Sequence, residues 1–135
     1  MKVIIAGSRD FNNYEKLCSY CDYLLQNKDD VEIVSGKAPG ADTLGERYAE
    51  ERGYPIIPFP AAWDDIEGKP AWQIGINKAG KQYWKLAGFV RNEEMAAYAD
   101  ALIAFWLNMS KGTQHMIQVA NDYDLQIRIY GYGNT

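Results

Sequence analysis

Two short polar stretches of this sequence carry the residue types that hold anions. "GSRD", Gly7 to Asp10, follows the apolar run "VIIA", and "SKGTQH", Ser110 to His115, lies shortly after the apolar run "ALIAFW". Each combines a glycine, a hydroxyl and a cation. Gly7 allows a sharp turn and a close approach of ligand to backbone. Ser8 offers a hydroxyl, and Arg9 a planar cation suited to phosphate or carboxylate. Ser110, Lys111, Gly112 and Thr113 sit where a helix should begin, with Thr113 as its N-cap. The exposed N–H groups and positive dipole end of a helix start attract anions. Taken alone, "GSR" reads equally well as a turn with a surface arginine.

Three further groups could join them. "SGKAPGAD", Ser35 to Asp42, leads into a helix through Gly36, Gly40 and Ala41, with Asp42 as the expected N-cap. No Gly-Lys-Ser/Thr closes it, so it is not a Walker A loop. Gly45, inside that helix, costs about 1 kcal/mol relative to alanine, which a close approach of backbone or ligand would explain. "RNEEMAAYADA" places Arg91, Met95 and Ala99 on one helical face, so Arg91, with Asn92 beside it, either points into a pocket or packs its stem and sends its head to water. His115 is the single histidine. The positive helix end disfavours its protonated form, so a neutral imidazole is expected, as a ligand partner, a base or a satisfied structural side chain.

The elements that must position these groups alternate. Val3 to Ala6 is a strand. A helix capped by Asn12, with Glu15 in the capping-box position, runs to about Asn27. "VEIVSG" gives a second strand, Val31 to Ser35, and a helix from about Asp42 stops at Gly53. "YPIIPFP" is a third strand, "ALIAFW" a fourth, Gly112 to Asp124 a helix and "LQIRIY" a fifth strand, with "GYGNT" as a frayed tail. This pattern predicts an α/β fold: a Rossmann-like three-layer sandwich with a five-stranded parallel sheet. The unbroken apolar runs of strands 1 and 4 belong in the centre. Pro55 and Pro58 send strand 3 to an edge. Arg128 between Ile127 and Ile129 suits an edge for strand 5. The order is then 3-2-1-4-5, with right-handed crossovers. Ligands bind at the carboxyl ends of the strands flanking the switch point, here strands 1 and 4, so "GSRD" and "NMSKGT" become two walls of one crevice.

With 135 residues, 47% hydrophobic and 24% charged, the chain suits one domain spanning 1–135. Residues 61–88, rich in tryptophan, are an insertion packed on the core or a lid over the crevice, and packing is the favoured expectation because tryptophans bury large areas. No apolar run is long enough to cross a membrane, and none resembles a signal peptide, so a cytoplasmic location is expected. The net charge of −4 argues against nucleic acid as a partner. Cys18 and Cys21 form C-x-x-C within a helical face of Tyr14, Leu17, Leu24 and Leu25, and read as buried thiols. Asp64, Asp65 and Glu67 read as a solvated face; neither a metal site nor a cofactor is called for. A homodimer is left open.

Together, "MKVIIAGSRDF", "VSGKAPGADTLGERYA", "AGFVRNEEMAAYADALIAFW" and "SKGTQHMIQVA" resemble the YspA, cpYpsA-related branch of the SLOG superfamily. The resemblance implies a Rossmann-like fold and a nucleotide-like ligand (a nucleoside phosphate, NAD or an ADP-ribose derivative) held by Gly7, Ser8, Arg9, Gly36, Gly40, Arg91 and the Ser110 to Thr113 turn. The superfamily includes the LONELY GUY phosphoribohydrolases and the DNA-processing protein A domain, besides sensors of nucleotides. LONELY GUY enzymes carry "PGGxGTxEE". Gly112 and Thr113 match its "GT" and Arg91 its arginine, but His115 and Met116 replace the two glutamates. The expected function is therefore ligand binding, as a sensor or sequestering module. N-glycosidic hydrolysis by Arg91 with His115 or Asp42 is the alternative, and single-stranded DNA binding the third reading.

Overall fold

The computed structural model describes residues 1–107 and 110–132. Among the described residues, seven strands and four α-helices follow in the order β1 (Lys2–Gly7), α1 (Tyr14–Leu25), β2 (Glu32–Ser35), α2 (Ala41–Arg52), β3 (Ile56–Pro58), β4 (Ile74–Ile76), β5 (Gln82–Trp84), α3 (Ala87–Tyr98), β6 (Ala101–Leu107), α4 (Lys111–Asp122) and β7 (Gln126–Tyr132). The main sheet has the order β3-β2-β1-β6-β7 with every pairing parallel, which is the expected 3-2-1-4-5. β4 and β5 form a separate antiparallel hairpin inside residues 61–88.

Period-two alternation splits the core of β1 between the two faces of the sheet. Val3 and Ile5 meet Leu17, Cys21 and Tyr48 of α1 and α2. Ile4 and Ala6 meet Met95, Ala96 and Met116 of α3 and α4. Because both faces are covered, β1 needs no polar positions between its apolar ones. Cys21 is buried, whereas Cys18 is only partly so, and both thiols are free. Among the described residues no helix is long and apolar enough to cross a membrane.

Several boundaries differ from the sequence reading. Asn13, not Asn12, caps α1, accepting from the Lys16 N–H at 3.1 Å, and the helix ends at Leu25. Gly40, not Asp42, is the N-cap of α2; its φ of 80° suits a residue without a β-carbon. Gly53 closes that helix in the left-handed conformation, as expected. Ser110, not Thr113, is the N-cap of α4. β3 keeps three residues of its apolar run, since its prolines cannot donate to a ladder. β7 takes in Gly131 and Tyr132 from the predicted tail, whose last three residues lie outside the described residues, as do Asn108 and Met109 of the loop after β6.

Candidate functional site

The loops after β1 and β6 meet and bond. The Ser8 N–H donates to the Phe105 carbonyl at 3.0 Å. The Ser8 hydroxyl accepts from the Leu107 N–H at 2.7 Å and lies 3.1 Å from the Ser110 hydroxyl, which in turn reaches Thr113 at 2.8 Å. Ser8 and Thr113 are buried, so these hydroxyls fasten one wall of the crevice to the other. A β-carbon on Gly7 would collide with the Phe105 carbonyl, which is why glycine stands where β1 leaves the sheet.

The third loop closes the floor. The Ser8 carbonyl accepts from the Ala41 N–H at 3.2 Å, satisfying a donor at the start of α2 that would otherwise face an anion. Gly40 lies so close to the carbonyls of Ser8 and Arg9 that no side chain fits. Lys37 turns away to pair with Glu46 at 2.9 Å. The carboxylate of Asp42 is buried and lies 3.4 Å from the Ala38 N–H. Burial raises its pKa to about 6, against the lowering pull of Arg91 and of the Ala38 and Gly7 N–H groups.

The resulting crevice has a cavity volume of about 440 Å³, within the range of small-molecule sites. Gly7, Ser8, Arg9, Asp42, Arg91, Asn92, Ser110, Gly112 and Thr113 line it. Gly36 borders an adjoining compartment of about 270 Å³, which Arg9, Ala38, Trp63 and Arg91 share with the crevice. Gly40 borders a shallow surface hollow instead. Ala41 is buried beneath Gly7, and Lys111 is exposed and outside the lining.

Arg9 and Arg91 both line the crevice. Burial lowers the Arg91 pKa, Asp42 raises it, and the like charge of Arg9 lowers it again. Arg91 donates from Nη1 to the Gly36 carbonyl and from Nε to Asn92 Oδ1 at 3.1 Å. Arg9 has no ion-pair or side-chain hydrogen-bond partner among the described residues.

His115 does not line the crevice. Its Nδ1 lies 3.0 Å from Asn92 Nδ2, and its ring packs on Phe89 at 4.3 Å between centroids. Arg91 Nε can only donate, so it fixes Asn92 Oδ1 toward itself and the amide N–H toward His115. Nδ1 is thereby an acceptor and the imidazole neutral, as expected. Burial lowers its pKa, against the raising pull of Glu93 and Asp122.

Sequence reasoning missed Trp63, Lys85, Gly88 and Phe89 as crevice residues. They come from residues 61–88 and the start of α3, where no glycine-and-cation pattern marks them. The expected packing of the tryptophans fails at Trp72, which is 69% exposed. Two acids of that segment pair with lysines, Asp64 with Lys81 at 3.0 Å and Asp65 with Lys69 at 3.3 Å.

The family described as "YspA, cpYpsA-related SLOG family" matches residues 1–65, so the resemblance read from the sequence is borne out over that part of the chain. The Gene 61 protein of Mycobacterium phage D29 is 28% identical over 137 residues, covering 96% of each chain. Among solved structures, DNA processing protein A from Streptococcus pneumoniae superposes with a TM-score of 0.66 at 21% identity, covering 95% of this chain and 49% of that one. DNA processing protein A from Helicobacter pylori, described for its single-stranded DNA binding mode, gives 0.65 at 19%, covering 96% and 64%. This chain thus spans about half to just under two thirds of those proteins, and the likeness establishes the Rossmann-like fold. It also corrects the argument against nucleic acid: a single-stranded DNA-binding protein shares this fold. Net charge averages over the whole surface, whereas contact with a strand depends on local cations.

Proposed function

We propose that the protein binds a phosphorylated nucleotide derivative in the crevice between β1 and β6, as a sensor or sequestering module. The observation that carries this reading is the pair of guanidinium groups on Arg9 and Arg91. Both line the crevice; Arg91 is partly desolvated with Asp42 beside it, while Arg9 is exposed at the mouth and has no ion-pair partner among the described residues. A phosphate between them would accept charge-assisted hydrogen bonds. The hydroxyls of Ser110 and Thr113 and the first turn of α4 border the same space.

The fold shared with DNA processing protein A favours a second reading, in which the phosphate belongs to a single DNA strand. The adjoining compartment beyond Arg9 and Arg91 gives a strand somewhere to continue. Hydrolysis of the LONELY GUY type through His115 is less favoured, because that imidazole is engaged by Asn92 and stands outside the crevice lining, so the reaction would fall to Arg91 with Asp42.

Calorimetric titration with AMP, NAD, ADP-ribose and a short oligothymidylate distinguishes these readings. The native protein should bind at least one, and Arg9→Ala should weaken that binding by about 1.5–3 kcal/mol, the worth of a charge-assisted hydrogen bond. Absence of binding to all four, or an unchanged affinity in the variant, would refute the site. Chromatographic release of adenine from AMP would favour the hydrolase.

A further inference from the structure

We infer that Trp63 is the stacking platform for the base of the bound nucleotide. The inference rests on the nucleotide reading above and adds the part of the ligand that the arginines do not touch.

The indole stands at the partition between the crevice and the adjoining compartment, lining both together with Arg9, Ala38 and Arg91. It is 37% exposed, so part of an apolar ring is left facing the cleft. Its position is supported from several sides. The Trp84 N–H donates to the Trp63 carbonyl at 2.8 Å, tying the residue to β5. Tyr83 meets the indole edge-on, with ring centroids 6.1 Å apart. Gly75 makes room for Tyr83, since a β-carbon there would lie 2.8 Å from the phenol ring. On the crevice side the far edge of the indole rests above Gly88, where a β-carbon would come within 3.1 Å of it. The hairpin β4–β5 and the start of α3 therefore leave space for this one side chain beside the guanidinium groups.

That placement matches what a nucleotide requires. Its phosphate is a hard anion suited to Arg9 and Arg91, whereas its base is a flat π-surface that gains by lying on an aromatic ring. Stacking accepts any base, so Trp63 contributes affinity and does not read identity.

The test compares the native protein, Trp63→Ala and Trp63→Phe for binding of AMP and of ribose 5-phosphate, which keeps the phosphate and sugar but has no base. The expected result is a loss of AMP affinity of about tenfold or more in Trp63→Ala. Ribose 5-phosphate affinity should be unchanged, and Trp63→Phe should retain most AMP binding. Unchanged AMP binding in Trp63→Ala, or equal losses for both ligands, would overturn the inference while leaving the phosphate site standing. If the native protein binds NAD or ADP-ribose in place of AMP, the same comparison is run with that ligand against ribose 5-phosphate; if it binds none of them, the nucleotide reading falls and this inference with it. Should Trp63→Ala fail to fold, the emission lost between native and Trp63→Phe decides. Quenching of that emission by AMP but not by ribose 5-phosphate supports the platform, and its absence overturns it.

Discussion

Asp42 carries a buried carboxyl group. Its folded pKa of about 6 lies above the ordinary value of 3.8, chiefly through burial. The folded chain therefore holds this proton more tightly than the unfolded chain. The stability so contributed is fully present below the unfolded value and is lost as pH rises through about 6. Across that window the loss is on the order of 3 kcal/mol. Asp42→Asn cannot titrate, so urea unfolding between about pH 4 and pH 7 should show the native protein losing stability relative to the variant. Parallel profiles would mean that the carboxylate is solvated. His115 behaves in the opposite sense. Its folded pKa is depressed below 6.5, so its contribution is present above that value and lost as pH falls through the folded value. Nitrogen NMR should find Nδ1 unprotonated at neutral pH. A protonated Nδ1 would break the Arg91–Asn92–His115 relay.

At the scale of elements, the approach of α2 to β1 sets the floor of the crevice. Gly45 faces Ile5, and a β-carbon there would lie 2.7 Å from Ile5 Cγ2 and 2.9 Å from its Cβ. Ile5 is fully buried in the centre of the sheet and cannot withdraw. Helix propensity alone predicts that Gly45→Ala stabilises by about 1 kcal/mol. Overpacking of a filled core costs about 1–3 kcal/mol and should prevail. Thermal unfolding should therefore show a lower midpoint for Gly45→Ala. A raised midpoint would mean that α2 shifts freely over β1. The close approach also seats Ala41 beneath Gly7, so loosening it should widen the crevice floor.

For the molecule as a whole, a net charge of −4 with two arginines gathered at one cleft predicts how a strand would bind. A protein neutralising Z phosphates of a single strand shows a slope of about −0.7Z in log K against log salt. With Arg9 and Arg91 as the contacts, an oligothymidylate titrated at several salt concentrations should give a slope near −1.4. A slope steeper than about −3 would show that cations beyond Arg9 and Arg91 contact the strand.

The sequence by itself determined the sheet. Unbroken apolar runs placed β1 and β6 at its centre, prolines sent β3 to an edge, and topology then brought Gly7 to Arg9 against Ser110 to Thr113. These are local properties: a run of side chains states how many of its faces are buried, and proline states where a ladder stops. Arg91 was legible because its helical face carries Met95. What the tertiary structure decided is which groups remain available to a ligand. The hydroxyl of Ser8, the N–H of Ala41 and Nδ1 of His115 all belong to motifs that read as binding groups, yet each is engaged by a partner distant in the chain. Trp63 gave the converse case, since its place at the cleft depends on how the β4–β5 hairpin returns over α3. Spacing along a chain shows what a residue could do. Only the three-dimensional neighbours show whether its hydrogen-bonding capacity is already satisfied.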